Sequence, residues 1–148
     1  MVGNHKRRTL RGIVDSGIVK RLIVDDGRLN HGYRVVRFEI FPVDVASGAS
    51  DCSGVLALDY DGPTQQWRAD DNRQIGWSST TMSTSYSVNN KTDIIDHDHV
   101  VIMDLYVLAY TNGSDTRVNY LVELETVELT DDEAILSLIK ERSQDDPR

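Results

Sequence analysis

Alternation of apolar and polar positions recurs along this chain and sets the elements expected of it. Val36, Phe38 and Ile40 alternate with Arg37 and Glu39, so His31 to Val43 reads as a strand with one wet face, ended or placed at a sheet edge by Pro42. Val118 to Leu129 repeats the pattern, with Tyr120, Val122 and Leu124 on one side and Glu123 and Glu125 on the other. Val100 to Tyr110 is apolar on both parities apart from Asp104, as in a strand covered on both faces. The Asn112-Gly113 turn signal between these last two predicts that they pair as a hairpin.

Weaker patterns fill the rest. Ile13-Val14, Ile18-Val19 and Ile23-Val24 recur every five residues, which fits neither helix nor strand. Two short extended pieces are expected there, the second from Val19 to Val24 and closed at Asp25-Asp26-Gly27. Ser47 to Gly54 reads as a flexible loop before a strand from Val55 to Tyr60, and Asp61-Gly62-Pro63 as a turn. From Gln65 to Asn90 the chain is polar, and the run Ser78 to Ser87 fits either a strand pair with hydroxyls on its face or a long loop. Thr130-Asp131-Asp132-Glu133 is a capping box, followed by the apolar stripe Ile135, Leu136, Leu138 and Ile139 and then Lys140 and Arg142. A helix over about 131–142 is predicted. The expected fold is mainly β, an antiparallel β-sandwich or jelly-roll-like barrel with one C-terminal α-helix.

Charge divides the chain unevenly. Residues 1–28 carry seven Lys/Arg against three Asp, a net +4, so the other 120 residues hold −12 of the total −8. Residues 1–11 show no apolar periodicity and read as a basic N-terminal arm (Lys6, Arg7, Arg8, Arg11) ahead of a single β-rich domain over 12–148. An acidic body repels phosphate, so nucleic acid is not expected as a partner except through that arm, where no aromatic residue is interleaved to stack on bases. The sequence has neither the apolar core of a secretory signal nor a run long enough to cross a membrane as a helix, which predicts synthesis in a cytoplasm and no membrane partner. With Cys52 as its one cysteine the chain forms no internal disulfide and no thiolate metal cluster.

Ligand chemistry is concentrated in His97-Asp98-His99, where alternate positions on a strand would aim two imidazoles at one ion. With Asp104 the spacing resembles the first metal motif of the cupin family, which would make His97, His99 and Asp104 ligands of a divalent ion. Lys91 stands where that motif begins with glycine, and no histidine follows His99. The competing reading is a charged start to a strand, and no cofactor is expected. Cys52 as a nucleophile competes with an incidental buried thiol. Trp67, Arg73 and Trp77 lie in a polar-aromatic segment suited to a sugar or a partner, or simply to anchoring a loop.

Three segments resemble small proteins of the virion type carried by tailed phages of marine bacteria. They are His31-Gly32-Tyr33-Arg34-Val35-Val36, Asp71-Asn72-Arg73-Gln74-Ile75-Gly76-Trp77, and Asn119-Tyr120-Leu121-Val122-Glu123-Leu124 running into Leu129-Thr130-Asp131-Asp132-Glu133. The resemblance implies a virion component. The function expected is therefore a non-enzymatic structural subunit, capsid or capsid-associated (coat, cement or decoration), whose partners are copies of itself and other virion proteins. Lys6, Arg7, Arg8 and Arg11, with Ile135, Leu138 and Ile139, are the expected assembly contacts. A cupin-like metal enzyme and a carbohydrate-binding module are the alternatives.

Overall fold

In a computed structural model of the chain, the described residues are 7–24, 31–45, 50–82, 89–112 and 115–130, with Asp132, Leu136 and Ile139. They form β1 (Arg7–Asp15), β2 (Lys20–Leu22), β3 (His31–Pro42), β4 (Ser50–Ala57), β5 (Gln74–Met82), β6 (Asn89–Ile95), β7 (Leu105–Thr111) and β8 (Arg117–Glu128). The molecule is mainly β. Two sheets hold these strands, one in the order β1-β8-β3 and one in the order β2-β7-β4-β5-β6, and every pairing is antiparallel.

The alternating residues of β3 and β8 explain the smaller sheet. Val35, Phe38 and Ile40 of β3 and Val118, Val122 and Leu124 of β8 turn to one side and are almost wholly buried, each worth about 1.5–3 kcal/mol of transfer from water. They share one apolar core with Leu56, Leu105, Val107 and Ala109 of the larger sheet. Close approach between the sheets depends on two glycines. A Cβ at Gly54 would lie 2.7 Å from Ile40 Cγ1, and one at Gly76 would lie 3.1 Å from Phe38 Cδ2.

Polar groups also join the sheets. At the open side of β3 the Ile40 N–H donates to Ser78 Oγ (2.9 Å), and Thr80 Oγ1 donates to the Ile40 carbonyl (2.6 Å). Ser78 Oγ in turn donates to Asp93 of β6 (2.6 Å), and Lys91 of β6 pairs with Glu39 (2.8 Å), which also pairs with Arg37. Further along, Tyr33 and Val101 exchange backbone hydrogen bonds of 2.8 and 2.6 Å. An edge strand that would otherwise expose its amides is thus closed by side chains and one bridge.

Several expectations are corrected. The basic arm does not extend to residue 11: Arg7 to Arg11 belong to β1, paired from Arg7↔Glu125 through Arg11↔Leu121. Its inward positions are Arg8, Leu10, Gly12 and Val14, and the arginine and glycine mask the alternation. Lys6 lies outside the described residues. Val100–Tyr110 and Val118–Leu129 do not form a hairpin, because β7 already has β2 and β4 on its two sides and β8 has β1 and β3. Asn112 N–H donates to the Asp51 carbonyl (3.0 Å), which carries the chain past the end of β4 toward the other sheet. The loop expected over Ser47–Gly54 is strand from Ser50 onward, where small residues fit under Ile40. The strand expected over Val19–Val24 is shorter, Lys20–Leu22. Most of the helix expected over 131–142, including Ile135 and Leu138, lies outside the described residues, whereas Leu136 and Ile139 are exposed. Among the described residues no helix is long and apolar enough to cross a membrane.

Candidate functional site

Register places a set of hydroxyls on the outward face of the larger sheet. Ser53 of β4 pairs with Ser79 of β5 on one side and Tyr110 of β7 on the other, and Asp51 pairs with Thr81. Because successive side chains alternate, Ser79 and Thr81 point away from the core that Ser78 and Thr80 face. The segment between β4 and β5 overhangs this face and brings Gln65 beside Ser53, Ser79 and Tyr110. The result is an open groove of about 520 Å³, its far end formed by Asp51 and Asn112.

Gln74 holds the overhang. Its buried side-chain carbonyl accepts from the Arg68 N–H (2.8 Å) and from the Trp77 indole N–H (2.9 Å). Its amide donates to the carbonyls of Gly62 (3.1 Å) and Gln66 (3.2 Å). One carboxamide therefore satisfies a polar loop that has little core of its own. Tyr60 adds an edge-on contact with Tyr106, ring centroids 6.4 Å apart.

At the end of the groove the Asp51 N–H donates to Asn112 Oδ1 (2.8 Å) and the Asn112 amide donates to Asp51 Oδ2 (3.1 Å). The described hydrogen bonds leave the hydroxyls of Ser53, Ser79, Thr81 and Tyr110 uncommitted. Cys52 has its thiol turned inward, 3.7 Å from the Thr80 carbonyl, and burial pushes its pKa up to about 11. A thiol so protonated is a poor nucleophile. Among the described residues no histidine lines the groove.

The cupin-type ligand set is not assembled. His97 and Asp98 sit in a turn after β6, where the Asp98 N–H donates to Asp96 Oδ1 (3.0 Å), so the strand parity that would have aligned His97 with His99 is absent. Asp104 is held elsewhere: Arg21 Nε donates to it at 2.6 Å and the Val24 N–H at 3.0 Å. Its carboxylate raises the pKa of the Arg21 guanidinium by hydrogen bond and by charge, and fastens β2 to the start of β7. Among the described residues no group of three or more His, Cys, Asp or Glu is placed to hold a metal ion.

The remaining candidates scatter. Trp77 is half-buried on the outward face, two residues along β5 from Ser79, and its neighbour across the ladder is Val55. Trp67 is exposed, and Arg73 is committed to Asp71 through contacts of 3.0 Å that lower the aspartate's pKa. Neither tryptophan lines the groove; among the described residues the aromatic there is Tyr110. Arg8 is also committed, donating to the carbonyls of Val24 (3.2 Å) and Ile23 (3.1 Å) and lying 5.9 Å from the Tyr33 ring centroid. Arg7 and Arg11 are exposed on the outward face of β1.

No family model matches the chain, and no curated protein does. Sequence reasoning missed Gln74 and the groove. The hydroxyl-rich run from Ser78 was the one signal pointing toward them.

Proposed function

We propose that the protein is a structural subunit of a bacteriophage virion, capsid or capsid-associated (coat, cement or decoration), which acts by association with copies of itself and with other virion proteins. One observation carries this reading: strand order. β1 lies beside β8, β2 beside β7 and β4 beside β5, while β6 is tied to β3 through Lys91 and Glu39. Three of these neighbours match a chain folded back on itself about its midpoint, and we read the two sheets as a jelly-roll-like sandwich, with β6 hydrogen-bonded to β5 rather than to β3. That architecture is shared by coat subunits, lectins and cupins.

Of those three uses, the cupin one lacks its ligand set here. The resemblance of three segments to phage proteins supports the particle setting over the others. In this reading the virion is the site of action.

Association would use the outward face of β1. This strand is at the edge of its sheet and presents Arg7, Arg11 and Ile13 to solvent. A neighbouring copy offers abundant acidic surface, since the chain as a whole carries −8. Light scattering across a concentration series, at low and at high salt, tests the reading. An oligomer or lattice that grows with concentration and weakens with salt is expected. A monomer under every condition would count against it.

A further inference from the structure

The groove on the larger sheet has a chemistry that association does not use. We infer that it binds a neutral, polyhydroxylated ligand, a saccharide unit, through the uncommitted hydroxyls of Ser53, Ser79, Thr81 and Tyr110 and the carboxylate of Asp51. The inference does not rest on the virion reading.

Three features select the ligand class. Each hydroxyl both donates and accepts, and the Asp51 carboxylate accepts strongly, so the wall is matched to a molecule that is itself rich in hydroxyl groups. Across the ladder such side chains repeat at about 5 Å and along a strand at about 7 Å, so several of them contact one ring-sized molecule together. Among the described residues no lysine or arginine lines the groove, and Asp51 is its one carboxylate. A phosphate or carboxylate ligand would meet the Asp51 charge with no cation of this lining to offset it.

Shape agrees with this. The volume, about 520 Å³, lies within the usual range for small-ligand clefts, but the mouth is wide and the walls are polar. An apolar ligand would gain little burial there, whereas a sugar keeps its outer hydroxyls in water. Tyr110 supplies a ring against which the C–H face of a sugar stacks. Preorganisation comes from the rigid ladder beneath and from Asn112, which fixes the Asp51 carboxylate at one end.

The test is a two-dimensional amide NMR titration with maltose, cellobiose, lactose and chitobiose, and with inorganic phosphate as the anionic probe. At least one disaccharide is expected to shift the amides of Asp51, Ser53, Ser79 and Tyr110 in a saturable way. Ser79→Val and Asp51→Asn should each weaken that binding by about fivefold or more, given the usual value of a hydrogen bond to a hydroxyl or a charge. Thr9→Val, on the outward face of the other sheet, should leave it unchanged. The same spectra report whether each variant is folded, and Tyr110→Phe, which removes only a hydroxyl, stands in for any that is not. Absence of saturable shifts with all four sugars overturns the inference. So does binding that survives both Ser79→Val and Asp51→Asn, or phosphate shifting the same amides.

Discussion

Two strands, β1 and β5, carry polar side chains on both faces, and the two faces have different uses. Inward, Ser78 and Thr80 of β5 complete the backbone hydrogen bonding of Ile40, and Arg8 of β1 closes the carbonyls of Ile23 and Val24. Outward, Ser79 and Thr81 line a groove and Arg7 and Arg11 face solvent. Residue type does not separate the groups; parity along the strand does. A serine or arginine one position over passes from structural to available, because a strand turns successive side chains to opposite sides.

The largest expected effect follows from β1 being a strand rather than an arm. Removing residues 1–11 takes away more than half of β1, its ladder to Leu121–Glu125 and the Arg8 contacts. A loss of about 5 kcal/mol or more is expected, comparable with the whole stability of a small domain. Chemical denaturation followed by circular dichroism measures it, and a cooperative transition at an unchanged midpoint would show that β1 is dispensable.

Thr80→Val comes next. It leaves the buried Ile40 carbonyl without its donor and should cost about 1–3 kcal/mol. On the other face of the same strand, Thr81→Val should stay within about 0.5 kcal/mol. Urea midpoints of the two variants give the contrast directly, and equal losses would dissolve it. Arg8→Met and Arg7→Met repeat the comparison on β1, with about 1 kcal/mol expected for the first and none measurable for the second.

The smallest effect is in the pH dependence. Burial works against the charge on Glu39, but Lys91 and Arg37 outweigh it and hold the carboxyl below its ordinary value of 4.5. A depressed folded-state pKa stabilises the fold above that value and loses its contribution as pH falls through the folded-state value. Wild type should therefore lose stability on acidification below about pH 4.5, and Glu39→Gln should lose less over the same window. Thermal melts between neutral and acid pH read this out, and parallel curves would remove Glu39 from the account.

Much of the fold follows from pattern alone. β3 and β8 have one wet and one dry face, so their alternation is unambiguous, and β7 was marked by its apolar character on both parities, although the strand begins at Leu105 rather than at Val100. β5 was hidden because its inward positions include Ser78 and Thr80, whose burial is made tolerable by Ile40, far away in sequence. The β7–β8 pairing was misread for a different reason. A turn signal says that the chain bends, not which sheet receives the next strand. Nor does any local motif mark the groove, whose hydroxyls come from β4, β5 and β7 and whose overhang depends on the single carboxamide of Gln74.

The central proposal is that the outward cations of β1, Arg7 and Arg11, serve association while its one inward cation, Arg8, serves the fold. Sedimentation velocity of wild type and of the Arg7→Gln, Arg11→Gln double variant, each paired with its urea midpoint, tests this most directly. The account predicts that wild type associates, and that the double variant remains monomeric with an unchanged midpoint. A wild-type protein that is monomeric throughout, or a double variant that associates as well as wild type, would contradict it.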